Sequence, residues 1–412
     1  MPSRRGAIVF AAGIGLWLAA RTAGSPALHM VAVGLVVLPF AATLFARRSH
    51  QRLRVRRRLS DARVAPGGRV KVEIEVENES WASTSFLLLE DRIPAALGRP
   101  ARLVIGGIPT RGKQHVSYSL VANSRGRYKL GPLTIDVSDP FALSRMRLEF
   151  DAREDLVVTP EVETLEGGPA SPFGIASGLS LAKHVFRTGD EFYTMRAYQE
   201  GDDLRRIHWR SVARTGQLMI RQDESTRRAT SVLFLDTRES ALGRIHTPAF
   251  EKAVSVAASV GVLLARHGFS FRLATSQIPP TPATEEQLLE TLAGLSHSTS
   301  RALSAGLMRL RMAAAADATL ITVTSPPLGP ELTALARAGA AFGPKLAILV
   351  YPVDPDTVPP PHAAELEDRA SAALLTLSRS GWEVLLLPPS GKLRDVWHVT
   401  RNTKLAVSGS SR

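Results

Sequence analysis

From Ala27 to Ala46 the chain reads ALHMVAVGLVVLPFAATLFA, twenty residues without a formally charged side chain. As a helix, a run of that length crosses a hydrocarbon core of about 30 Å, so the segment predicts a membrane span before any other feature is weighed. Pro39 within it is compatible with a span, because neighbouring helices or local adjustment satisfy the carbonyl its ring frees. A shorter apolar run, Gly6 to Ala20, precedes it across the polar link RTAGSP. Two apolar runs joined so closely predict a transmembrane helical hairpin. The competing reading of the first run is a secretory signal peptide, with Arg4 and Arg5 as its basic end and cleavage between Ala23 and Ala27.

Charge follows the same division. The net charge is +13, and residues 1–58 hold ten arginines with no Lys, Asp or Glu, so subtracting ten leaves only +3 for the remaining 354 residues. Basicity is therefore local to the anchor, which removes the main argument for nucleic acid as a partner. Arg47, Arg48, Arg52, Arg54, Arg56, Arg57 and Arg58 follow the second run, against Arg21 alone in the link. They predict contact with anionic lipid, and the positive-inside rule puts the following domains in the cytoplasm of a multi-pass cell-membrane protein. The absence of cysteine excludes disulfides, thiolate metal ligands and thiol nucleophiles.

Beyond Leu59 the pattern has period two. In VKVEIEVEN the residues Val70, Val72, Ile74 and Val76 alternate with charged ones, as in a strand apolar on one face. Short runs of the same kind follow at SFLLLED, ARLVIGG, KQHVSYSLVA, YKLGPLTIDV and RMRLEF, punctuated by turn residues, and predict a β-sandwich over 59–160. A Gly, Pro and Ser-rich stretch, Gly167 to Ser180, reads as part of a linker over 161–188.

The densest grouping of aromatic, acidic and basic residues is RAYQEGDDLRRIHWRSVARTGQLMIR, Arg196 to Arg221. Gly201 with Asp202 and Asp203 forms a turn, either Asp can cap a helix from near Leu204, and Gly216 supplies a left-handed stop before a strand containing Leu218 and Ile220. Arg196, Tyr198, Gly201, Asp202, Ile207, His208, Trp209, Ala213 and Arg214 resemble the signature of the bacterial domain-of-unknown-function fifty-eight (DUF58) family. The preceding Arg125 to Tyr128, Gly131, Pro132 and Asp139 to Phe141 also look like that family. The resemblance implies a membrane protein that works with a MoxR-type AAA+ ATPase in assembling or remodelling an envelope-associated complex, and it supplies no biochemical activity.

The signature spans 189–230. Its residues Arg196, Tyr198, Gly201, Asp202, His208, Trp209 and Arg214 are either a partner-docking surface, since Arg, Trp and Tyr dominate energetic hot spots, or a charged solvated face with Trp209 as a core plug. A third reading pairs Asp202 with His208 for acid/base chemistry. Nothing supplies a nucleophile or phosphate loop: G-x-x-x-x-G-K-[ST], H-E-x-x-H and G-x-S-x-G are all absent.

From 231 to 398 apolar strands alternate with helices, predicting a doubly wound α/β domain with a largely parallel sheet. The order and the leading VLFLDTRES resemble a von Willebrand factor type A domain, whose first strand ends in a metal-binding D-x-S-x-S loop. Asp236 and Ser240 match its first and last positions, but Arg238 replaces the middle serine and its cation competes with a dication. These residues therefore read as remnants, with Asp236 accepting hydrogen bonds from the backbone or Arg238 at the strand end, and with no metal and no cofactor expected. The alternative is a Mg²⁺-dependent adhesion module. Residues 399–412 read as a disordered tail. The preferred expectation is a membrane-anchored, cytoplasmic-facing scaffold or interaction protein, not an enzyme.

Overall fold

The computed structural model describes residues 4–49, 52–81, 83–84, 86–138, 143, 145–165, 193–198, 209–223, 230–300, 302–312, 314 and 318–397. They fall into two compact units, Met1–Thr159 and Pro160–Arg412. The expected linker from Gly167 to Ser180 and the tail from 399 onward lie outside the described residues.

The first unit opens with α1 (Arg4–Ala23) and α2 (Pro26–Ser49), two apolar helices joined at Gly24, whose φ of 62° suits the tight reversal. Phe10 and Phe40 meet edge to face at 5.6 Å. Gly13 lets the helices close up, since a Cβ there would lie 2.9 Å from the Val36 side chain. Met30, Val33, Val37 and Phe40 stay exposed. Among the described residues three helices are long and apolar enough to cross a membrane, but one of them, Pro248–Arg266, is 78% buried within its own fold against 17% for each of the first two.

Strands follow: β1 (Leu53–Leu59), β2 (Arg63–Val64), β3 (Gly68–Asn78), β4 (Leu87–Asp91), β5 (Ala101–Ile105), β6 (Lys113–Ala122), β7 (Gly126–Leu130), β8 (Leu133–Ser138), β9 (Arg145–Phe150) and β10 (Glu154–Val158). They form sheets ordered β1-β3-β6, β2-β10-β7 and β5-β4-β8-β9. One core serves all three: Val70, Val72, Ile74 and Val76 of β3 meet Leu87 and Leu89 of β4, Ile135 and Val137 of β8, and Leu156 and Val158 of β10. The alternation read in β3 is thus an inward apolar row, each side chain contributing about 1.5–3 kcal/mol by burial. YKLGPLTIDV divides into β7 and β8 because Gly131, with φ of 104°, breaks the extended path.

One correction concerns the arginine run. Leu53 to Arg58, read as juxtamembrane anchor, is a strand because its outward arginines oppose the glutamates of β3 in register: Arg54 faces Glu77, Arg56 faces Glu75 and Arg58 faces Glu73. Arg54 also pairs with Glu79 at 3.0 Å. Arg57 points the other way, is 5% exposed, and is ion-paired to Asp91. It therefore leaves the set expected to meet lipid.

In the second unit β11 (Tyr193–Ala197), α3 (Trp209–Thr215) and β12 (Met219–Asp223) carry the signature. Then come β13 (Thr230–Leu235), α4 (Glu239–Leu242), α5 (Pro248–Arg266), β14 (Ser270–Thr275), β15 (Thr281–Pro282), α6 (Glu285–Ala293), α7 (Ser304–Met312) and β16 (Thr319–Thr324). The last are α8 (Gly329–Gly339), β17 (Lys345–Val350), α9 (Pro360–Arg379), β18 (Glu383–Leu387) and α10 (Leu393–Trp397). The sheet order is β15-β14-β13-β16-β17-β18, with neighbours parallel except the short β15.

Both faces of this sheet are covered. Leu233, Leu235, Ile321 and Ile348 pack under Phe250 and Val254 of α5 and Leu288 of α6. Alternate residues Val232, Phe234, Leu320 and Leu349 meet Leu310 of α7, Leu335 of α8 and Leu377 of α9 on the other side. Burial of both faces is why these strands are continuously apolar in sequence. Helix α6 starts at a reciprocal capping box, Thr284 with Gln287, in the sequence TEEQ. The segment before the signature is strapped onto α5: Glu163 N–H donates to Ser259 Oγ at 2.8 Å, and its carboxylate accepts from Lys252 at 3.3 Å and from the Arg394 N–H at 3.2 Å.

Candidate functional site

In an open parallel sheet, ligands bind beyond the carboxyl ends of strands where the winding direction switches. Here β13 is that switch, with β14 on one side and β16 on the other. Asp236 follows β13 directly, Ser276 follows β14, and Thr324 closes β16. All three meet: Ser276 Oγ donates to Asp236 Oδ1 at 2.9 Å and Thr324 Oγ1 to Oδ2 at 2.8 Å. Asp236 is fully buried.

The remaining space around that carboxylate is filled by the chain itself. Arg238 donates from its backbone N–H to Oδ1 at 3.1 Å, from Nε to Oδ1 at 3.0 Å, and from Nη2 to Oδ2 at 2.9 Å. Its other edge forks onto Glu331 in the first turn of α8, with Nη1 at 2.6 Å and Nη2 at 3.1 Å. The side chain of Arg238 is 3% exposed. Burial works against its charge, but the hydrogen bonds to Asp236 and Glu331 more than offset this and hold the guanidinium pKa above its ordinary value. The loop is fixed from below as well, since the Ser298 N–H donates to Thr237 O at 2.6 Å and the Glu239 N–H to Ser298 O at 2.9 Å.

This arrangement tests the metal reading by donor chemistry. A divalent ion at Asp236 needs oxygen ligands free to turn toward it. Both Asp236 oxygens already accept from a guanidinium and a hydroxyl. Ser240, the other matching position, is exposed on α4 while Asp236 is fully buried. Among the described residues no group of three or more His, Asp or Glu is placed to hold a metal. The donor set does not fit the ion, and Arg238 serves as its fixed internal counterpart. Sequence spacing exposed the Asp236 to Arg238 contact, but Ser276, Thr324 and Glu331 reach it from separate strands and a helix, with no local pattern to announce them.

The signature is built differently. β11 and β12 pair antiparallel with Arg196 opposite Ile220 and Ala197 opposite Met219, and the Tyr198 N–H donates to Leu218 O at 2.9 Å. Between them α3 ends as expected at Gly216, φ 71°, whose N–H reaches Val212 O at 2.9 Å. Trp209 at the start of α3 is 68% exposed, which corrects the reading of it as a core plug. Arg214 on the same helix is also exposed, and Tyr198 is half-buried. Gly201, Asp202 and His208 lie outside the described residues, and with them the acid/base pairing.

Residues 194–384 match the family described as Protein of unknown function DUF58. The uncharacterized protein YeaD of Bacillus subtilis (strain 168) is 22% identical over 228 residues, 53% of this chain and 54% of that protein, so the chain spans about half the length of this curated relative. Among solved structures, the CARDB domain of the PF1109 protein from Pyrococcus furiosus is 14% identical, covering 26% of this chain and 92% of that one at a TM-score of 0.20. The alkylpurine DNA glycosylase AlkC of Pseudomonas fluorescens is 12% identical, covering 30% of this chain and 38% of that one at a TM-score of 0.17. Scores that low say nothing about the fold or activity of this protein.

Proposed function

We propose, on the premise that residues 194–384 belong to the DUF58 family, that this chain is a membrane-anchored interaction protein that docks a MoxR-type AAA+ ATPase through its signature. The observation that carries the reading is Trp209, 68% exposed on a helix that also exposes Arg214. A large aromatic left in water on the same short helix as an exposed arginine supplies the two residue types most enriched in interface hot spots.

The rest of the chain has a part in this account. α1 and α2 form a two-pass anchor, the strand-rich region is a β-sandwich that continues from it, and the arginines around the end of α2 keep the domains that follow on the cytoplasmic side. The α/β unit is a von Willebrand A-like domain in which Arg238 takes the place of the metal, which favours recognition by surface contacts over metal-bridged adhesion. Such a protein supplies a fixed platform, and the ATPase supplies the energy for assembling or remodelling a third component at the envelope.

Affinity purification of the full-length chain from native membranes tests this. The expected result is an AAA+ ATPase recovered as a stoichiometric companion. Recovery of the chain free of any ATPase, under conditions that retain other membrane complexes, contradicts the reading.

A further inference from the structure

The strand-rich fold has one end marked by its junction with the helices. β1 begins at Leu53, four residues after α2 ends at Ser49. The carbonyl of Arg52 accepts from the Glu79 N–H at 2.8 Å, which places the loop after β3 at this end. The turn before β6 belongs there too: the Asn78 N–H donates to Gly112 O at 3.0 Å and Thr110 Oγ1 to the carbonyl of Trp81 at 3.1 Å. Leu143, which follows β8 in the chain, is a further member, because Gly6 in the first turn of α1 lies directly against its carbonyl, with no room for a Cβ.

Two large aromatic side chains project from this rim. Trp81 is 74% exposed and Phe86 72% exposed. Exposed arginines flank them: Arg52 at the end of the anchor, and Arg111, held at a φ of 56° in the neighbouring turn. The opposite end of β1, near Asp61, lies about 20 Å away along the strand. Trp in an interfacial belt with Arg beside it is the composition that membrane-water boundaries select, since the rings sit at headgroup level and the cations meet lipid phosphate.

From this placement we propose that the rim formed by Trp81, Phe86, Arg52 and Arg111 is seated in the headgroup layer of the bilayer and binds anionic lipid. The proposal rests on the reading that α1 and α2 span that bilayer. It assigns the orientation of the strand-rich region: the β1 start and the loops at Trp81 and Arg111 face lipid, and Asp61 faces water. Insertion of the aromatics fixes the fold against the membrane at points separate from the helices.

Because the chain has no cysteine, one introduced thiol carries one label. The full-length protein is reconstituted in phosphatidylcholine vesicles with and without phosphatidylglycerol, carrying an environment-sensitive dye at Thr110→Cys, Asp61→Cys or Val37→Cys. Bromolipid and aqueous iodide serve as quenchers. The expected result is bromolipid quenching at Thr110, stronger with phosphatidylglycerol, against iodide quenching at Asp61. Trp81→Ala with Phe86→Ala lowers bromolipid quenching at Thr110 toward the Asp61 level, and Arg111→Glu removes the phosphatidylglycerol dependence.

Iodide quenching at Thr110 equal to that at Asp61 overturns the proposal, and so does a Thr110 label shielded from both quenchers, which reports a protein neighbour. The Val37 label keeps the two readings apart. If it is quenched by bromolipid while Thr110 is not, the span survives and the rim proposal fails; if Val37 is open to iodide, the span itself fails.

Discussion

Arg57→Met is expected to destabilise the first unit by about 3–5 kcal/mol, the cost of removing one partner from a buried ion pair. The guanidinium is enclosed and has three partners: the Asp91 carboxylate, Leu130 O at 2.7 Å and Ala152 O at 2.5 Å. Asp91 in turn accepts from the Tyr118 hydroxyl at 2.5 Å. Burial, with the neighbouring carboxylate, holds that phenol well above its ordinary range. Asp91 is 1% exposed, so losing Arg57 leaves a carboxylate with one neutral donor and no counter-charge.

The pH dependence follows from the direction of the Asp91 shift. Burial pushes its carboxyl above the ordinary value, with the Tyr118 hydrogen bond and the Arg57 charge pulling the other way. A raised folded-state value means that the group's contribution to stability is present below the unfolded value of about 3.9 and is lost as pH rises through the folded value. Without Arg57 the shift grows, so the deficit of the variant is largest near neutral pH and narrows in acid. Denaturant titrations of the full-length protein at several pH values check this. A deficit independent of pH, or one that widens in acid, contradicts it.

The second large effect belongs to the crevice. Arg238→Met is expected to cost about 3–5 kcal/mol by the same mechanism, since Asp236 is fully buried and would keep only the Ser276 and Thr324 hydroxyls and the backbone N–H of residue 238. Adding Asp236→Asn removes the stranded charge, so the double variant is expected to recover much of the loss, a coupling that a double-mutant cycle reads directly. Millimolar Mg²⁺ is expected to leave the unfolding midpoint of the unaltered protein where it is, because a ligand that binds the folded state raises it. A rise would return the metal-dependent reading to the account.

Legibility from sequence varied with how local the cause was. The apolar strands around VLFLDT, TLITVT and LAILV were legible because burial on both faces leaves an unbroken apolar run. The hairpin helices were legible because each is a long apolar run with no acidic residue, and most of their side chains stay exposed. β1 was not, because LRVRRRL shows its arginines without the glutamates of β3 that oppose them, and a basic run after a span otherwise reads as a lipid contact. α7 escaped for want of a clear apolar stripe in SAGLMRLRM, although Leu307 and Leu310 are buried. Within the crevice, the contact of Asp236 with Arg238 is two residues long in sequence and was anticipated. The Glu331 fork spans 93 residues, and Thr324 to Asp236 spans 88.

Trp209 shows the same limit in another form: its residue type marked it as core or interface, and only its exposure separates the two. The most direct measurement of the central claim is therefore the amount of AAA+ ATPase recovered from native membranes with the Trp209→Ala protein, relative to the unaltered protein. The variant should fold with an unchanged unfolding midpoint and lose the ATPase at least about tenfold, as removal of a hot-spot side chain would give. Equal recovery of the ATPase, or loss of recovery only together with unfolding, would contradict docking through the signature.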